Sequence, residues 1–309
     1  MHGARKFIVT NDFPSKILAT TDASEDALLA TRAAIDLSSR TRAELHLVHA
    51  WQDLRPPALP AIAIDEYSQA YEQWKRGAGE LLDEQAERLR NAGGTVAGAH
   101  LRKGRPAEEI TKLAEELNVG LVIIGSRGLG AMKRLVMGSV SEGVVHLATR
   151  PTLVVRGGER AWPPSRLVVG DDASEESRRA GELAMGIGKL FDARALLVRV
   201  YPQVTVFKAR KIVHTRASKE LLKEGKRSLE KRAAELESIL GMRPEIRVTS
   251  GDTAAIVQEA AGEGLEPTLV AVGRRGLGAV QHLALGSVSS GVLRAVSGPV
   301  LIVPPPIQE

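Results

Sequence analysis

The stretch GSRGLGAMKRLVMGSV, residues Gly125–Val140, returns later in the chain as GRRGLGAVQHLALGSV, residues Gly273–Val288. When the comparison is extended to Val155 and Val303 at the constant offset of 148, sixteen of thirty-one positions are identical without a gap. A glycine inside regular structure costs about 0.5–1 kcal/mol, so glycines kept twice at one spacing indicate a shared structural or chemical requirement.

The repetition reaches the start of each half, because KILATTDASE (Lys16–Glu25) aligns with RLVVGDDASE (Arg166–Glu175) at an offset of 150. The chain of 309 residues therefore reads as a tandem duplication, with domains predicted at residues 1–158 and 159–309. Between them, GGERAWPPS (Gly157–Ser165) combines paired glycines, charges and two prolines, a composition typical of a linker.

The amino-acid composition excludes several classes of protein. Hydrophobic residues make up 43% of the chain and charged residues 26%, as in ordinary globular domains. The aromatic content of 3% disfavours a base-stacking nucleic-acid binder, and a net charge of +5 over this length is usual for a protein surface. The absence of cysteine excludes disulfides and a thiolate nucleophile. No apolar run suits a signal peptide or a membrane span, so we expect a soluble cytoplasmic protein without a membrane partner.

Short apolar runs alternate with longer amphipathic segments in each half, which predicts a βαβαβαβαβ order. Continuous runs such as LVIIG and TLVAVG are typical of strands buried on both faces of a parallel sheet. The predicted fold class is α/β, with two tandem open parallel sheets of about five strands and four helices each. In the first half the predicted elements are Lys16–Thr20, Ser24–Ser39, Leu45–Ala50, Tyr67–Asn91, Thr95–Leu101, Pro106–Asn118, Leu121–Gly125, Ser141–Ala148 and Thr152–Val155.

The repeated glycines follow the fourth strand, and ligands of such sheets bind beyond the carboxyl ends of the strands. A glycine directly after a strand allows a turn with positive φ and a close approach of backbone amides to a ligand. Gly138 and Ser139 precede a predicted helix, whose first amides and dipole favour an anion such as phosphate. Ser141 adds a hydroxyl donor and Arg127 a positive charge, and the second copy repeats these residue types. The pattern predicts a polyphosphate site in each half.

Other interpretations remain open. The glycines could serve tight turns alone, and Ser139 with Glu142 could form only a capping box. Against this, the second copy has Ser290 in place of Glu142, so a capping box is not what the copies share. No stretch matches a P-loop or the dinucleotide-binding fingerprint.

The long glycine pattern, together with an aspartate after the first strand, resembles the ATP-binding branch of the universal stress protein family in its tandem form. The resemblance covers both halves and implies a Rossmann-like, adenine nucleotide α-hydrolase-like fold that binds ATP, ADP or AMP, with Mg²⁺ on the phosphates. By this resemblance, ribose and phosphates would contact Gly125, Arg127, Gly128, Gly138, Ser139, Val140 and Ser141, or Gly273, Arg275, Gly276, Gly286, Ser287, Val288 and Ser289. Adenosine would contact Thr20, Thr21, Asp22 and Ala50, or Gly170, Asp171, Asp172 and Val200.

The two copies depart from each other at a few of these positions. Thr21 becomes Asp171 and Ser126 becomes Arg274, which predicts sites of unequal affinity. Asp22 has an alternative role as a helix N-cap, because a glutamate follows three residues later, and the same holds for Asp172.

Other candidates are weaker. His46 and His49 are three apart on a strand and point to opposite faces, which disfavours metal ligation. Lys208–Arg232 is basic, but glutamates interleave at helical spacings, which indicates a solvated helix face. Pro56–Ile64 and Pro202–Thr215 differ most between the copies and are interpreted as flaps over the nucleotide.

Three function classes follow. The favoured hypothesis is a regulatory protein that senses or stores ATP in a stress response and acts through an unidentified protein partner. A slow ATPase or ATP-dependent transferase is the second, but no catalytic residue is assigned, because His146 becomes Arg294 and no histidine is shared. The third is an interaction scaffold whose glycines are structural.

The fifth strand of each half is apolar and would leave an exposed sheet edge if unpaired. In the resembling family single-domain chains commonly dimerise through this strand. We therefore predict that Thr152–Val155 runs antiparallel to Val300–Val303 in an intramolecular pseudo-dimer, which leaves open a further homodimer of whole chains.

Overall fold

The computed structural model describes residues 13–52, 64–128, 137–201, 204–208, 211–215, 218–262, 266–274 and 285–306. In the first half, strands and helices alternate as β1 Lys16–Thr20, α1 Glu25–Thr41, β2 Glu44–Trp51, α2 Ile64–Asn91, β3 Val96–Lys103, α3 Pro106–Glu116, β4 Leu121–Gly125, α4 Ser139–Leu147 and β5 Thr152–Val155. The second half contains β6 Arg166–Gly170, α5 Glu175–Leu190, β7 Arg194–Tyr201, β8 Val204–Lys208, β9 Lys211–Thr215, α6 Lys219–Leu240, β10 Glu245–Ser250, α7 Thr253–Ala261, β11 Thr268–Gly273, α8 Ser287–Ala295 and β12 Val300–Val303.

Ten of the strands form one continuous sheet in the order β10-β7-β6-β11-β12-β5-β4-β1-β2-β3. Pairing is parallel within each half and antiparallel where β5 meets β12, with Leu153 opposite Leu301. The predicted α/β class and the predicted antiparallel pairing of the two fifth strands are thus confirmed. The central strands are buried on both faces because helices cover them from both sides.

Each face of the sheet carries one hydrophobic core that runs through both halves. Helices α1, α2, α5 and α6 cover one face, and their buried residues form a single cluster. Helices α3, α4, α7 and α8 cover the other face. Because each cluster draws residues from both halves, the two halves pack as one hydrophobic unit.

The segment Gly157–Ser165, predicted to be a linker, is a packed connection. Trp162 is 3% exposed, and its indole Nε1 donates a hydrogen bond to Asp36 Oδ2 on α1 at 3.1 Å. The same indole meets Phe191 edge to face, with ring centroids 5.4 Å apart. The connection therefore fastens the first helix of one half to the end of α5 in the other.

The second half contains a β-hairpin that the sequence analysis missed. Strands β8 and β9 pair antiparallel, with Val206 opposite Val213. Lys208–Arg232 is therefore not one helix face, because Lys211–Thr215 is a strand and α6 begins only at Lys219. Of the other predicted flap, residues 56–63 lie outside the described residues. The role of either segment as a flap stays a prediction.

In the part of the chain that the structure describes, no helix is long and apolar enough to cross a membrane.

Candidate functional site

The predicted site residues of the first half gather where β1, β2 and β4 end. Strand β1 lies between β4 and β2, so the connections that leave β1 and β4 run toward opposite edges of the sheet. Such a switch in strand order is where open α/β sheets bind ligands. Strand β1 ends at Thr20, strand β4 ends at Gly125, and helix α4 begins at Ser139. The second half repeats the arrangement with β6, β7 and β11.

In the loop after β1, Asp22 accepts a hydrogen bond from the backbone of the loop itself, whereas Ser24 is the N-cap of helix α1. The N–H of Ser24 donates to Asp22 Oδ1 at 3.0 Å, while Ser24 Oγ accepts the N–H of Ala27 at 3.3 Å as the N-cap of α1. The second half has the same pair, with Asp172 and Ser174. The alternative role of Asp22 and Asp172 as N-caps is thus wrong. In the first half the second carboxylate oxygen of Asp22 lies against Gly128.

The glycine loop of each half is closed by one carbonyl group. Ser126 O accepts hydrogen bonds from Gly138 N at 2.7 Å and from Ser141 Oγ at 2.8 Å. In the second copy Arg274 O accepts from Gly286 N at 3.0 Å and from Ser289 Oγ at 2.8 Å. The hydroxyls of Ser141 and Ser289, which the sequence suggested as ligand donors, are therefore buried and engaged with the protein.

Helices α4 and α8 begin without a side-chain cap. Their N-caps are Gly138 and Gly286, both in extended conformation, and among the described residues neither helix has a side-chain N-cap hydrogen bond. The capping box of Ser139 and Glu142 is accordingly absent, while Ser139 and Ser287 are exposed. The first-turn amides and the dipole of such a helix are groups that favour an anion.

Gly125 is required by packing and not by a positive φ. A Cβ there would lie 2.6 Å from the carbonyl carbon of Asp26 and 2.7 Å from Ala27 N, because β4 ends against the start of α1. The predicted positive φ at this glycine is wrong, since Gly125 lies outside the left-handed region. At Gly138 a Cβ would lie 3.3 Å from Ser126 O, so it would crowd the backbone of the glycine loop and would not point into open space. Arg275 and Gly276 lie outside the described residues.

Arg127 is held by a carboxylate that the sequence analysis overlooked. Its Nε and Nη2 donate to the two oxygens of Asp26 at 3.0 and 3.2 Å, and Ser126 Oγ donates to Asp26 Oδ2 at 2.7 Å. Asp26 is 4% exposed, and its hydrogen bond raises the pKa of Arg127. Arg127 thus carries the predicted positive charge, but the charge is paired with Asp26, and its contact with a ligand stays a prediction. The only sequence signal for Asp26 was an acidic residue in the first turn of α1.

The second half has its buried ion pair elsewhere. Asp171 Oδ1 accepts from Arg199 Nε at 3.1 Å and also from Nη2, with both residues buried. In the first half the equivalent positions hold Thr21 and His49, and His49 Nδ1 lies 2.8 Å from the carbonyl oxygen of Thr21. The joint change at the offset of 150 was the signal that could have revealed Arg199.

Comparison with known proteins identifies the family. The model of the Universal stress protein family matches residues 14–156 and again 164–304. This chain belongs to the universal stress protein family. A curated relative, universal stress protein YxiE from Bacillus subtilis, is 31% identical over 150 residues, which cover 46% of this chain and 99% of that protein.

Two further comparisons cover more of this universal stress protein. A universal stress protein of Mycolicibacterium smegmatis is 30% identical over 228 residues, covering 71% of this chain and 73% of that protein. The crystal structure of a universal stress protein from Archaeoglobus fulgidus has a TM-score of 0.67 at 23% identity and covers 94% of this chain and 98% of that one. At that identity the structural likeness bears on the fold alone.

Both sites of this tandem universal stress protein have an apolar side. Ala50 and Val140 are partly buried and pack on the core under α3 and α4. Val200 and Val288 pack in the same way in the second half. Each site thus combines an apolar wall, the first turn of a helix and an acidic loop. Contacts of a ligand with Thr20, Gly170 and Gly273, which end their strands here, stay predictions.

Proposed function

We propose that this universal stress protein binds one adenine nucleotide in each half and acts as a regulatory sensor or store of ATP. The observation that carries the proposal is the pair of helix N-termini at Gly138 and Gly286, which have no side-chain cap among the described residues and are each held by the carbonyl of the residue that follows the fourth parallel strand of the half. Phosphate is the ligand chemistry that free first-turn amides suit best.

In the first half, the proposed contacts come from helix α4, strand β2 and the loop after β1. The N–H groups of Ser139, Val140 and Ser141 would hold the phosphates, while Ala50 would contact the adenine ring and Asp22 the ribose. Charge-assisted hydrogen bonds contribute about 1.5–3 kcal/mol each, so three or four approach the ~8 kcal/mol of micromolar affinity. In the described residues no cluster of three metal-ligating side chains occurs, so Mg²⁺ would be held mainly by the phosphates themselves.

A binding role is favoured over catalysis because the histidine that contacts the loop after β1 is already engaged. His49 contacts the carbonyl of Thr21, and Arg199, which has no basic lone pair at neutral pH, stands in its place in the second half. A slow ATPase or ATP-dependent transferase is the second candidate. We expect any ATP turnover to be slow, and a rate within the ordinary enzyme range of about 1–10³ per second would favour an enzyme over a binding protein.

The test uses one charge introduced at each helix N-terminus. Ser139→Asp and Ser287→Asp place a carboxylate in a first turn, where it favours the helix but repels phosphate. Titration calorimetry with Mg²⁺ and ATP should show two sites in the unchanged protein and one site in each variant. Ser139→Ala and Ser287→Ala are the matched controls and should retain both sites. Unchanged stoichiometry in both aspartate variants, or no binding to the unchanged protein, would contradict the proposal and favour a scaffold.

A further inference from the structure

Equivalent residues in the two glycine loops send their side chains in opposite directions. Ser126 and Arg274 occupy the same position, and each closes its loop through its carbonyl group. The hydroxyl of Ser126 turns inward to Asp26 of its own half. The guanidinium of Arg274 crosses the joint between the halves instead.

Arg274 reaches the C-terminal end of α4. Its Nη1 donates to Ala148 O at 2.6 Å and to His146 O at 3.2 Å, and the residue is 8% exposed. These carbonyls belong to the last turn and the C-cap of α4, where the helix dipole is negative and a cation is favourable. The contact is therefore a charged cap supplied to a helix of one half by a loop of the other.

The two ends of this residue touch both candidate phosphate helices. The carbonyl of Arg274 holds Gly286 N and Ser289 Oγ at the start of α8, while its side chain holds the end of α4. Helix α4 has nine residues, so its own N-terminus at Ser139 is about 13 Å from that cap. A rigid helix thus connects Arg274 to the first candidate site.

We propose that Arg274 is a positioning residue that couples the two nucleotide sites. An anion bound at the N-terminus of α8 alters the hydrogen bonds of Gly286 and Ser289 to the Arg274 carbonyl, and the guanidinium carries this shift to α4. By linkage, a nucleotide in the first site affects the second to the same degree. This inference rests on the proposed function, because without nucleotide binding there is nothing to couple.

A second arginine at the joint provides a control. Arg156, which follows β5, donates from Nε to Gly298 O at 3.2 Å, beyond the end of α8. It crosses the joint and is buried, but it does not close a glycine loop. Its replacement loosens the joint without breaking the connection between the two helices.

The experiment compares calorimetric titrations with Mg²⁺ and ATP. Ser287→Asp gives the affinity of the first site alone, and Ser139→Asp gives that of the second. If the sites are coupled, the isotherm of the unchanged protein departs from the sum of these two, by at least about fivefold in one affinity. Arg274→Ser places the first-half residue at this position. Its isotherm should equal the sum of the isotherms of the two double variants that combine Arg274→Ser with Ser287→Asp or with Ser139→Asp.

The outcomes separate the two proposals. Arg274→Met keeps an unbranched side chain but has no donor, so it serves as a second variant if Arg274→Ser fails to fold and should likewise abolish the departure. Arg156→Met should leave the departure intact. Two independent sites in the unchanged protein overturn the coupling and leave the proposed function standing. A departure that survives in the Arg274 variants, or that Arg156→Met also abolishes, overturns the role of Arg274. No binding in the unchanged protein overturns both proposals.

Discussion

The first half fixes its glycine loop to its own helix α1, through Ser126, Arg127 and the buried carboxylate of Asp26. The second half keeps the same carbonyl-centred loop closure but fixes the loop to the other half through Arg274. The backbone scaffold is shared, whereas the side-chain anchors have diverged. A duplicated site can therefore keep its geometry while one copy becomes self-contained and the other becomes connected to its neighbour.

The buried charges show the same divergence. The first half pairs Asp26 with Arg127, and the second pairs Asp171 with Arg199. The residues equivalent to Asp171 and Arg199 are Thr21 and His49, so neither member of the second pair has a charged counterpart of the same type in the first half. This is expected, because a buried charge without a partner costs several kcal/mol.

The largest effect is expected at Arg199. Arg199→Met leaves the buried carboxylate of Asp171 unpaired, which should lower the free energy of unfolding by about 3–5 kcal/mol. The double change Asp171→Thr with Arg199→His installs the first-half pair and should recover most of this loss. Urea unfolding checks both variants. A double variant no more stable than Arg199→Met would show that the two positions did not diverge as a unit.

A smaller effect is expected at Asp26. Asp26→Asn weakens three hydrogen bonds around a buried group, but Arg127 is 29% exposed and water can solvate it, so the loss should be about 1–3 kcal/mol. The equivalent residue Glu176 is the matched control, and Glu176→Gln should change the free energy of unfolding by no more than about 0.5 kcal/mol. Equal losses of unfolding free energy in the two variants would show that this position stabilises both halves to the same extent.

The smallest effect concerns a histidine pair found in the first half alone. His46 Nδ1 and His100 Nε2 lie 3.1 Å apart on β2 and β3, and burial lowers the pKa of both below the ordinary value of 6.5. The unfolded chain then binds more protons than the folded protein just below pH 6.5, so stability is lost as the pH falls through that window. The residue that corresponds to His46 in the second half is Leu196.

His46→Leu therefore tests this pH dependence with the second-half residue. The urea midpoint of the unchanged protein should decrease as the pH is lowered from about 7 to about 5, and the midpoint of the variant should decrease less over the same range. Neighbouring charges oppose each other here, since Glu44 raises and Lys16 lowers the pKa of His46. Likewise Arg102 lowers and Glu116 raises that of His100. An identical slope in both proteins would show that these carboxylates dominate.

The fold could be predicted because its signals are local or repeated. Uninterrupted apolar runs marked the buried strands, and an unpaired apolar fifth strand in each half required the β5–β12 joint. The hairpin β8–β9 was missed because no turn residues such as Asn-Gly separate its strands. Alternating β-branched residues in VTVFK and KIVHT were its only mark.

The sequence predicted where the candidate site residues lie in the fold more accurately than it predicted which side chains they contact. Helix N-termini and strand ends follow from the pattern, so the prediction that Gly138 and Gly286 directly precede helices was correct, while their contact with a ligand stays a prediction. The partners of Arg127 and Arg274 were not predictable, because each lies more than a hundred residues away in the chain. The N-cap of α1 was assigned to the wrong residue, Asp22 in place of Ser24, because both residue types are good N-caps.

The packing of Trp162 between Asp36 and Phe191, above a core shared by both halves, has a consequence for how the duplicated gene can change. Neither half has to remain stable by itself, because unfolding one exposes the buried surface of the other. A substitution that weakens one copy is therefore buffered by the intact copy. Such buffering gives one half the freedom to lose, retune or exchange its ligand while the chain as a whole stays folded.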